Sequence, residues 1–458
     1  MAEISIRKGL DISLAGRPDP AIADAPPSAT VAVQPTEHAG LKPRLKVKEG
    51  DAVRRGSVLA ENKRDTRVKL TAPAAGTVRE IAYGPRRVIE RIVIEVAAQD
   101  EAEPGAAYTV DGLAKVSRDD LLARLHETGM IFHLRQRPFD VPASPEATPK
   151  SIFVNAMATA PFRADPDVVV GDQPAAWRAG LAALVRLTEG PVHVVTGAAD
   201  SRCAQETPDL DRIRKHVFRG PHPAGNTSVH IHHLDPLRPT DVVWTVNAAG
   251  LVLIGQTLLD GAPPAHRVIA LGGPGVKDGE ARHVRVRRGG EIASVTDGRL
   301  ADGEMRVVGS DLLSGRTLKP GGYLPETGTS LTVLPEGREQ ELLGWMAPGA
   351  DKFTASRAFV SAWTGAVRKR AWRLTTNNRG DPRALVVSGW YETVMPMMIM
   401  PEFVVRAALA RDTTEAVNLG ILETVPEDYA LCAFICPSKL DVPGIIARGL
   451  ALIQEEGI

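Results

Sequence analysis

The sequence predicts a multidomain α/β protein, because the pattern of apolar residues changes several times along its 458 residues. Short alternating strands separated by glycine turns fill residues 41–100. Strands alternate with helices over residues 101–265, short strands and turns follow over residues 266–330, and helical spacing dominates residues 331–458. Residues 1–40 are rich in proline and alanine, and we predict an extended, irregular N-terminal segment there.

The composition is typical of a soluble globular protein, with 43% hydrophobic and 24% charged residues. Because 55 basic residues balance 55 acidic ones, broad binding to nucleic acid or to an anionic membrane is not expected. Three cysteines are too few for a disulfide framework and fit a reducing compartment.

Residues 1–8 lack the apolar core of a signal peptide. Residues 242–259 are uncharged but contain polar side chains, so we predict a buried strand and helix rather than a membrane span.

The first domain has the two-half pattern of a biotinyl- or lipoyl-type barrel-sandwich. The halves are residues 47–60 and 70–78, and Gly50 lies where a short hairpin needs a permissive backbone. In a carrier domain the hairpin between the halves presents a lysine flanked by methionines. Here it reads ENKRDTR over residues 61–67, so Lys63 has polar neighbours, and we interpret it as a solvated lysine in a structural module. Acylation of Lys63 is the alternative, and an intact mass with a biotin or lipoyl increment would support it.

The Rossmann-like α/β domain predicted over residues 101–265 begins with a capped helix. Ser117 can cap this helix, Asp120 lies in a capping-box-like position, and Gly129 ends the helix. Residues 174–187 have the apolar spacing of a second helix. The predicted strands of the parallel layer are residues 152–154, 192–195, 213–218 and 229–231.

Two further domains follow in the prediction. The strands and turns of residues 266–330 indicate a small mixed domain of the β-grasp type. The C-terminal domain is predicted as mainly helical after about residue 350. Its predicted helices are residues 401–411, 414–420 and 442–456.

The sharpest chemical motif is CAFICP, which contains Cys432 and Cys436. Its spacing and its proline match the end of a four-iron ferredoxin motif, C-x2-C-x2-C-x3-C-P. The two earlier ligand positions are Pro426 and Tyr429, and a cluster needs four thiolates. We therefore interpret Cys432 and Cys436 as two buried thiols, the remnant of a cluster motif, and expect no metal here.

Other candidate motifs are interpreted as structural. Neither G-x-G-x-x-G after a strand nor a P-loop is present, and the GGPG run of residues 272–275 is predicted as a turn because Pro274 has no N–H. The HIHH run of residues 230–233 places His230 and His232 on one face of a predicted strand, but no further ligand has metal-site spacing. The Met-rich run of residues 390–401 can pack a partner subunit or membrane-embedded protein, or equally the core.

The segment FHLRQRPF, residues 132–139, is the candidate quinone-binding segment. Its aromatic rings can stack on a quinone head group, while histidine, arginine and glutamine side chains can donate to its carbonyl oxygens. The alternative is a loop packed against the α/β core. The candidate quinone-binding residues are Phe132, His133, Arg135, Arg137 and Phe139.

The order of these segments resembles the A subunit of the sodium-translocating NADH:quinone reductase over nearly the whole length. The layout is also similar to the C subunit of the Rnf complex and to the flavin-binding subunit of respiratory complex I. Those relatives have a glycine-rich flavin loop after the helix, where this chain has the bulky residues 130–135. Residues 438–440 and the Met397-Met398 pair differ from the residues usual in this family at these positions, which leaves the details of the partner contacts open. Besides the barrel-sandwich, the matching segments are residues 8–16, 132–139, 152–157, 220–225, 230–232, 313–316, 351–353, 391–396 and 431–437.

The resemblance implies a peripheral subunit on the cytoplasmic face of the bacterial inner membrane, with an SLBB-type β-grasp domain. The complex passes electrons from NADH to ubiquinone and exports sodium, and its FMN, riboflavin, FAD and iron–sulfur centres belong to other subunits. The chain itself is expected to hold no redox cofactor and no sodium path and not to be catalytic alone. Its expected roles are assembly with the other subunits, especially the membrane subunits, and binding of ubiquinone.

The alternative function is that of an electron-transfer protein similar to the C subunit of the Rnf complex, with its own flavin and iron–sulfur cluster. Such a protein would be coloured. A visible spectrum of the isolated chain therefore separates the two hypotheses, since a flavin band or iron absorbance would support the alternative.

Overall fold

The computed structural model describes residues 2–38, 40–339, 341, 344, 346–364 and 370–457. Within these residues the strands form sheets of seven, six, four and three strands. In chain order the strands are β1 (Ala2–Ser5), β2 (Asp19–Asp24), β3 (Thr30–Val33), β4 (Pro43–Leu45), β5 (Ala52–Val53), β6 (Val58–Asn62), β7 (Lys69–Thr71), β8 (Gly76–Tyr83), β9 (Ile89–Val96), β10 (Arg135–Arg137), β11 (Val141–Pro142), β12 (Ser151–Ala156), β13 (Val192–Thr196), β14 (Ile213–Arg219), β15 (Val243–Asn247), β16 (His266–Gly272), β17 (Arg282–Arg287), β18 (Met305–Gly309), β19 (Arg316–Thr317) and β20 (Ser330–Pro335).

The helices follow the same order along the described chain. Those of the α/β domain are α1 (Val110–Leu113), α2 (Arg118–Glu127), α3 (Pro166–Asp172), α4 (Pro174–Leu187), α5 (Arg202–Glu206), α6 (Thr227–Leu234) and α7 (Ala248–Asp260). The remaining helices are α8 (Ala293–Thr296), α9 (Trp390–Val394), α10 (Pro401–Ala410), α11 (Thr413–Asn418), α12 (Ala430–Ile435) and α13 (Val442–Glu456).

The barrel-sandwich predicted from the alternating valines and leucines is confirmed. One sheet has the order β3-β9-β8-β5 and the other the order β4-β6-β7. Leu59, Val78, Ile92 and Ile94 are at most 1% exposed and fill the space between the sheets. Because each side chain leaves water on folding, this core is the main source of the module's stability.

The α/β domain is built on the seven-stranded sheet, whose order is β1-β14-β13-β12-β15-β10-β11. Strands β1, β14, β13, β12 and β15 are parallel neighbours, and β10 pairs with β15 in the antiparallel sense. The chain passes from β12 through β13 to β14 on one side and then returns to the other side as β15. The strand order therefore reverses between β12 and β15, the position at which open α/β sheets form a crevice.

Several predictions for this domain are confirmed. Helix α4 has the predicted bounds, and Ser117 accepts a hydrogen bond from the Asp120 backbone N–H as the cap of α2. The uncharged stretch predicted as a buried strand and helix is β15 followed by α7, capped by Asn247. Among the described residues, every helix is too short or too polar to span a bilayer.

The N-terminal segment corrects one prediction. It was expected to be irregular, yet β1 pairs with β14, β2 with β17, and β3 with β9. Each strand joins a different sheet, so the segment connects three domains. The sequence conceals this because two of the partner strands lie more than 200 residues away, beyond the reach of any local pattern.

The strand predicted over residues 229–231 is also wrong, because these residues lie in helix α6. Asn226 is the N-cap residue of this helix, and the two β-branched residues Val229 and Ile231 are accommodated inside it. Tertiary packing has overridden their preference for strands, since Val229, His230 and Ile231 are all buried.

The β-grasp domain and the helical C-terminal domain complete the molecule. The six-stranded sheet has the order β19-β18-β20-β16-β17-β2, and Leu271, Val284 and Leu331 lie in its core. The C-terminal helices α9–α13 pack against the α/β domain around Tyr391 and Tyr429. Among the residues of this domain that the structure describes, the first α-helix is α9 at Trp390, later than the prediction of helix from about residue 350.

We expect Gly255→Ala to destabilise the α/β domain strongly. Helices α4 and α7 pack so closely that a Cβ atom at position 255 would lie 1.8 Å from the Ala176 carbonyl oxygen. The helices must separate to admit it, which costs about 3 kcal/mol and lowers the melting temperature. The control is Gly171→Ala in α3, where the nearest atom would be 3.8 Å away. Circular dichroism melting of both variants tests this, and equal melting temperatures would contradict the packing argument.

Candidate functional site

The candidate quinone-binding segment lies at the junction of three domains. Gly129 adopts a left-handed backbone with φ 72° and ends α2, and residues 130–133 then form a single 3-10 turn. Strand β10 follows at the edge of the parallel part of the sheet, antiparallel to β15. The bulky side chains of this turn point into the protein, since Met130, Ile131 and Phe132 are at most 2% exposed.

Phe132 stacks against a histidine of the N-terminal segment. Its ring centroid lies 3.8 Å from that of His38, with an angle of 19° between the planes. Burial lowers the pKa of His38 to about 3, and the nearby Arg135 guanidinium lowers it further, so the imidazole is neutral at physiological pH. The pair is therefore an uncharged, nearly parallel stack of two flat rings.

His133 belongs to a largely buried network centred on Glu326 of the β-grasp domain. Its Nε2 lies 3.3 Å from Glu326 Oε1, and Arg288 Nε donates to the same oxygen over 3.0 Å. Arg267 Nη1 donates to the backbone carbonyl of Glu326 over 2.5 Å. Burial by itself raises the pKa of Glu326, but Arg288, His133 and Arg267 outweigh it and hold the pKa well below its usual range. Glu326 is thus a paired carboxylate.

Glu37 joins the same network from the N-terminal segment. Its Oε2 accepts the backbone N–H of Glu326 over 2.8 Å, and its Oε1 accepts the Gln34 side-chain amide over 2.8 Å. Burial, assisted by the neighbouring Glu326 carboxylate, raises the pKa of Glu37 to about 7. Glu37 is therefore a carboxyl group that can change its charge near neutral pH, next to one that stays ionised.

Of the other predicted residues, Arg135 lies beside this junction, and Arg137 and Phe139 point elsewhere. Arg135 donates to Asp140, while Arg137 Nη1 donates to Ser228 Oγ over 3.1 Å at the start of α6. Phe139 packs against the core shared with the C-terminal domain. The structure thus brings Phe132 and His133 to one junction, leaves Arg135 beside it, and directs Arg137 and Phe139 to another.

Sequence reasoning missed the partners of these residues. They come from the N-terminal segment and from the β-grasp domain, and Glu326 is 193 positions away from His133. No spacing rule connects such distant residues. The missed residues are Glu37, His38, Arg267, Arg288 and Glu326.

A cleft of about 300 Å³ lies between the barrel-sandwich, α3, α7 and the start of β16. Arg267 lines this cleft and also contacts Glu326, so one guanidinium connects the cleft to the buried network. The apolar wall is formed mainly by α7, and the polar residues that line the cleft are Arg55, Asp172, Gln173, Gln256, Asp260, His266, Arg267 and Arg285.

Cys432 and Cys436 lie at helix α12, and both are buried. Tyr391 Oη donates to Cys436 Sγ over 3.0 Å, and burial raises the pKa of Cys432 well above its usual value. Cys203 is also buried, in the α/β domain. In the part of the chain that the structure describes, no three histidine, cysteine or acidic side chains are grouped to hold a metal ion.

Lys63 is exposed on the hairpin between β6 and β7. This hairpin does not stand free of the protein. Arg67 pairs with Glu146, and Thr71 Oγ1 donates to the Thr128 carbonyl oxygen over 3.0 Å. Val68 also packs into the core of the α/β domain, so the hairpin is fixed against that domain.

Three family profiles match the chain. The NqrA N-terminal barrel-sandwich hybrid domain matches residues 4–97, and the NqrA second alpha/beta domain matches residues 116–263. The NQRA C-terminal domain, whose profile is of the SLBB type, matches residues 268–319. These three matches follow one another in the order of the barrel-sandwich, α/β and β-grasp domains.

Whole-length relatives agree with the profiles. The chain is 38% identical to the A subunit of the Na(+)-translocating NADH-quinone reductase of Alcanivorax borkumensis, over 99% of this chain and 100% of that protein. The corresponding protein of Serratia proteamaculans is 39% identical, and that of Neisseria meningitidis serogroup C is 38% identical, with the same coverage. Among solved structures, an NAD+-reducing nickel–iron hydrogenase is 14% identical with a TM-score of 0.37, over 77% of this chain and 66% of that chain.

We expect Glu37→Gln to change the pH dependence of stability. A carboxyl group with a folded-state pKa near 7 stabilises the fold when protonated, and this contribution is lost as pH rises from about 4.5 to about 7. The variant should therefore gain in melting temperature relative to the parent chain between pH 5 and pH 8. Melting curves across this range test the prediction.

The control is Glu304→Gln at the surface. Arg338 holds the pKa of Glu304 below its usual range, so Glu304 is ionised throughout this window. The difference in melting temperature between this variant and the parent chain should stay constant from pH 5 to pH 8. If the difference in melting temperature between Glu37→Gln and the parent chain were also constant, Glu37 would not titrate between pH 5 and pH 8.

Proposed function

The chain belongs to the family of A subunits of Na(+)-translocating NADH-quinone reductases, and from this premise we propose that it acts within that complex as a peripheral component. Its place is the cytoplasmic face of the bacterial inner membrane, where the complex transfers electrons from NADH to ubiquinone and exports sodium. The chain contributes assembly contacts and a quinone-facing surface, and it is not catalytic alone.

The redox groups of the complex belong to its other subunits in this proposal. Two features of the chain support it. The CAFICP motif has Pro426 and Tyr429 where two further thiolates are needed. The segment after α2 is a turn of buried bulky residues, whereas a flavin phosphate requires a glycine-rich backbone that it can approach closely.

An exposed apolar surface supports the assembly role. Met395 and Met397 of the Met-rich run are buried, but Met398 is 93% exposed. Met400 and Phe403 continue the exposed surface onto the start of α10, and Leu409 near the end of that helix is also exposed. An apolar surface of this kind marks a contact with a partner, and we assign it to another subunit of the complex.

The stack of Phe132 on His38 is the observation that supports quinone binding most directly. A quinone head group is flat and uncharged, like the neutral imidazole that covers Phe132. We propose that the quinone ring replaces His38 against Phe132. Arg135 faces His38 and can donate to a quinone carbonyl oxygen.

The remaining candidate residues position this segment in the proposal. His133 is held by Glu326, and Arg137 is held by Ser228. Phe139 is fixed in the core shared with the C-terminal domain. Of the five candidates, Phe132 and Arg135 therefore contact the quinone, and His133, Arg137 and Phe139 keep the segment in place.

We expect a photoreactive ubiquinone analogue to label this junction in the assembled complex. Labelled peptides should include residues 132–139 and the segment around His38, because these two segments form the stack. Excess ubiquinone should prevent labelling, as measured by mass spectrometry of the digested protein. Labelling confined to other subunits would contradict the proposed quinone surface.

We also expect Arg135→Gln to raise the KM for ubiquinone about tenfold with little change in kcat. The guanidinium binds the head group in both the ground state and the transition state, so its loss weakens binding uniformly. Steady-state kinetics of the assembled complex measure both constants. The control is Arg338→Gln, an exposed arginine paired with Glu304 on the surface. An equal KM for both variants and the parent would show that Arg135 does not bind the quinone.

A further inference from the structure

The crevice of the α/β sheet is filled by other parts of the same chain. It lies where the strand order reverses between β12 and β15, beyond the carboxyl ends of the strands, where open α/β sheets bind their ligands. Asn155 near the end of β12 donates to the Gly225 carbonyl oxygen over 2.8 Å and to Thr227 Oγ1 over 2.9 Å. These contacts place the first turn of α6 at the crevice.

One carboxylate of the C-terminal domain lies at this first turn. Asp428 Oδ1 accepts the side-chain amide of Asn226, the N-cap residue of α6, over 3.0 Å. The Ser228 hydroxyl and the Arg137 guanidinium also face this carboxylate. The positive end of a helix dipole and a nearby guanidinium favour an anion at this position.

A second carboxyl group contacts the loop that follows β12. Arg163 lies in this loop, and its Nη2 is 2.5 Å from Glu427 Oε1. Asp311 of the β-grasp domain reaches the same guanidinium nitrogen over 3.2 Å. Glu427 and Asp428 are adjacent residues of one 3-10 turn, Pro426–Tyr429, so a single short segment presents two carboxyl groups to the crevice.

The crevice also has a spare donor. Arg137 is only 6% exposed, and its Nε has no hydrogen-bond acceptor among the described residues, although Asp140 Oδ1 lies 3.8 Å away. A buried N–H of this kind costs free energy unless an acceptor satisfies it. Arg137 Nε is thus one buried donor beside the crevice that neither Asp428 nor Glu427 satisfies.

We propose that this crevice is an oxyanion-binding site whose resident ligand is the C-terminal domain itself. The carboxylates of Glu427 and Asp428 occupy the positions that the phosphate or carboxylate groups of a free ligand would occupy. Docking of the C-terminal domain and binding of a free oxyanion are therefore mutually exclusive, and removal of the two carboxylates opens the site to small anions. This inference is independent of the proposed quinone surface.

The test uses the full chain and two double variants. In E427A/D428A both carboxylates are removed and space is left for an anion. In E427Q/D428N the charge is removed but the space stays filled, so this variant is the matched control. Melting temperatures are compared in 10 mM phosphate, acetate or chloride at equal ionic strength. Phosphate should raise the melting temperature of E427A/D428A by about 2 °C relative to chloride.

The control and the parent chain should show no such rise beyond the general stabilisation that phosphate gives to any protein. Adding R163Q to E427A/D428A should abolish the response, because Arg163 is the main anion partner of Glu427. If E427A/D428A does not stay folded, the yield of refolded protein in phosphate against chloride replaces the melting temperature. Equal responses of all forms, or no gain in melting temperature or yield for E427A/D428A, would overturn the proposal.

Discussion

The arrangement of the domains depends on one largely buried carboxylate, Glu326. Its side chain pairs with Arg288 and His133, and its backbone contacts Glu37 and Arg267. These partners come from the N-terminal segment, the α/β domain and the β-grasp domain. Removal of one partner of a buried ion pair leaves an uncompensated charge and costs about 3–5 kcal/mol. The stack of Phe132 on His38 lies beside this network, so its geometry depends on the same charge balance.

The barrel-sandwich has the fold pattern of carrier domains but is bound to the rest of this protein. A carrier hairpin must extend from its domain so that its prosthetic group can reach distant sites. Here the corresponding hairpin is bound to the α/β domain through Arg67, Val68 and Thr71. The same fold therefore serves here as a support bound to its neighbour, and Lys63 lies exposed on the bound hairpin.

Much of the fold follows from local patterns, and most of the site does not. Helix α4, the Ser117 cap and the succession of β15 and α7 are all encoded by neighbouring residues. Helix α6 was missed because two β-branched residues favour a strand when only the local sequence is considered. The contacts of Phe132 and His133 could not be predicted, because a ring stack or a charge pair between distant segments produces no periodic pattern in the sequence.

The three strands of the N-terminal segment have a consequence for synthesis on the ribosome. Strand β3 pairs with β9, so the barrel-sandwich can close early, but β2 must wait for β17. At 5–20 residues per second, the ribosome needs roughly 10–50 s to make the intervening chain. During that interval β2 has no partner, and β1 has none until β14 has been made. Strands β1 and β2 are therefore incorporated long after their own synthesis, and they stay open to chaperones in the meantime.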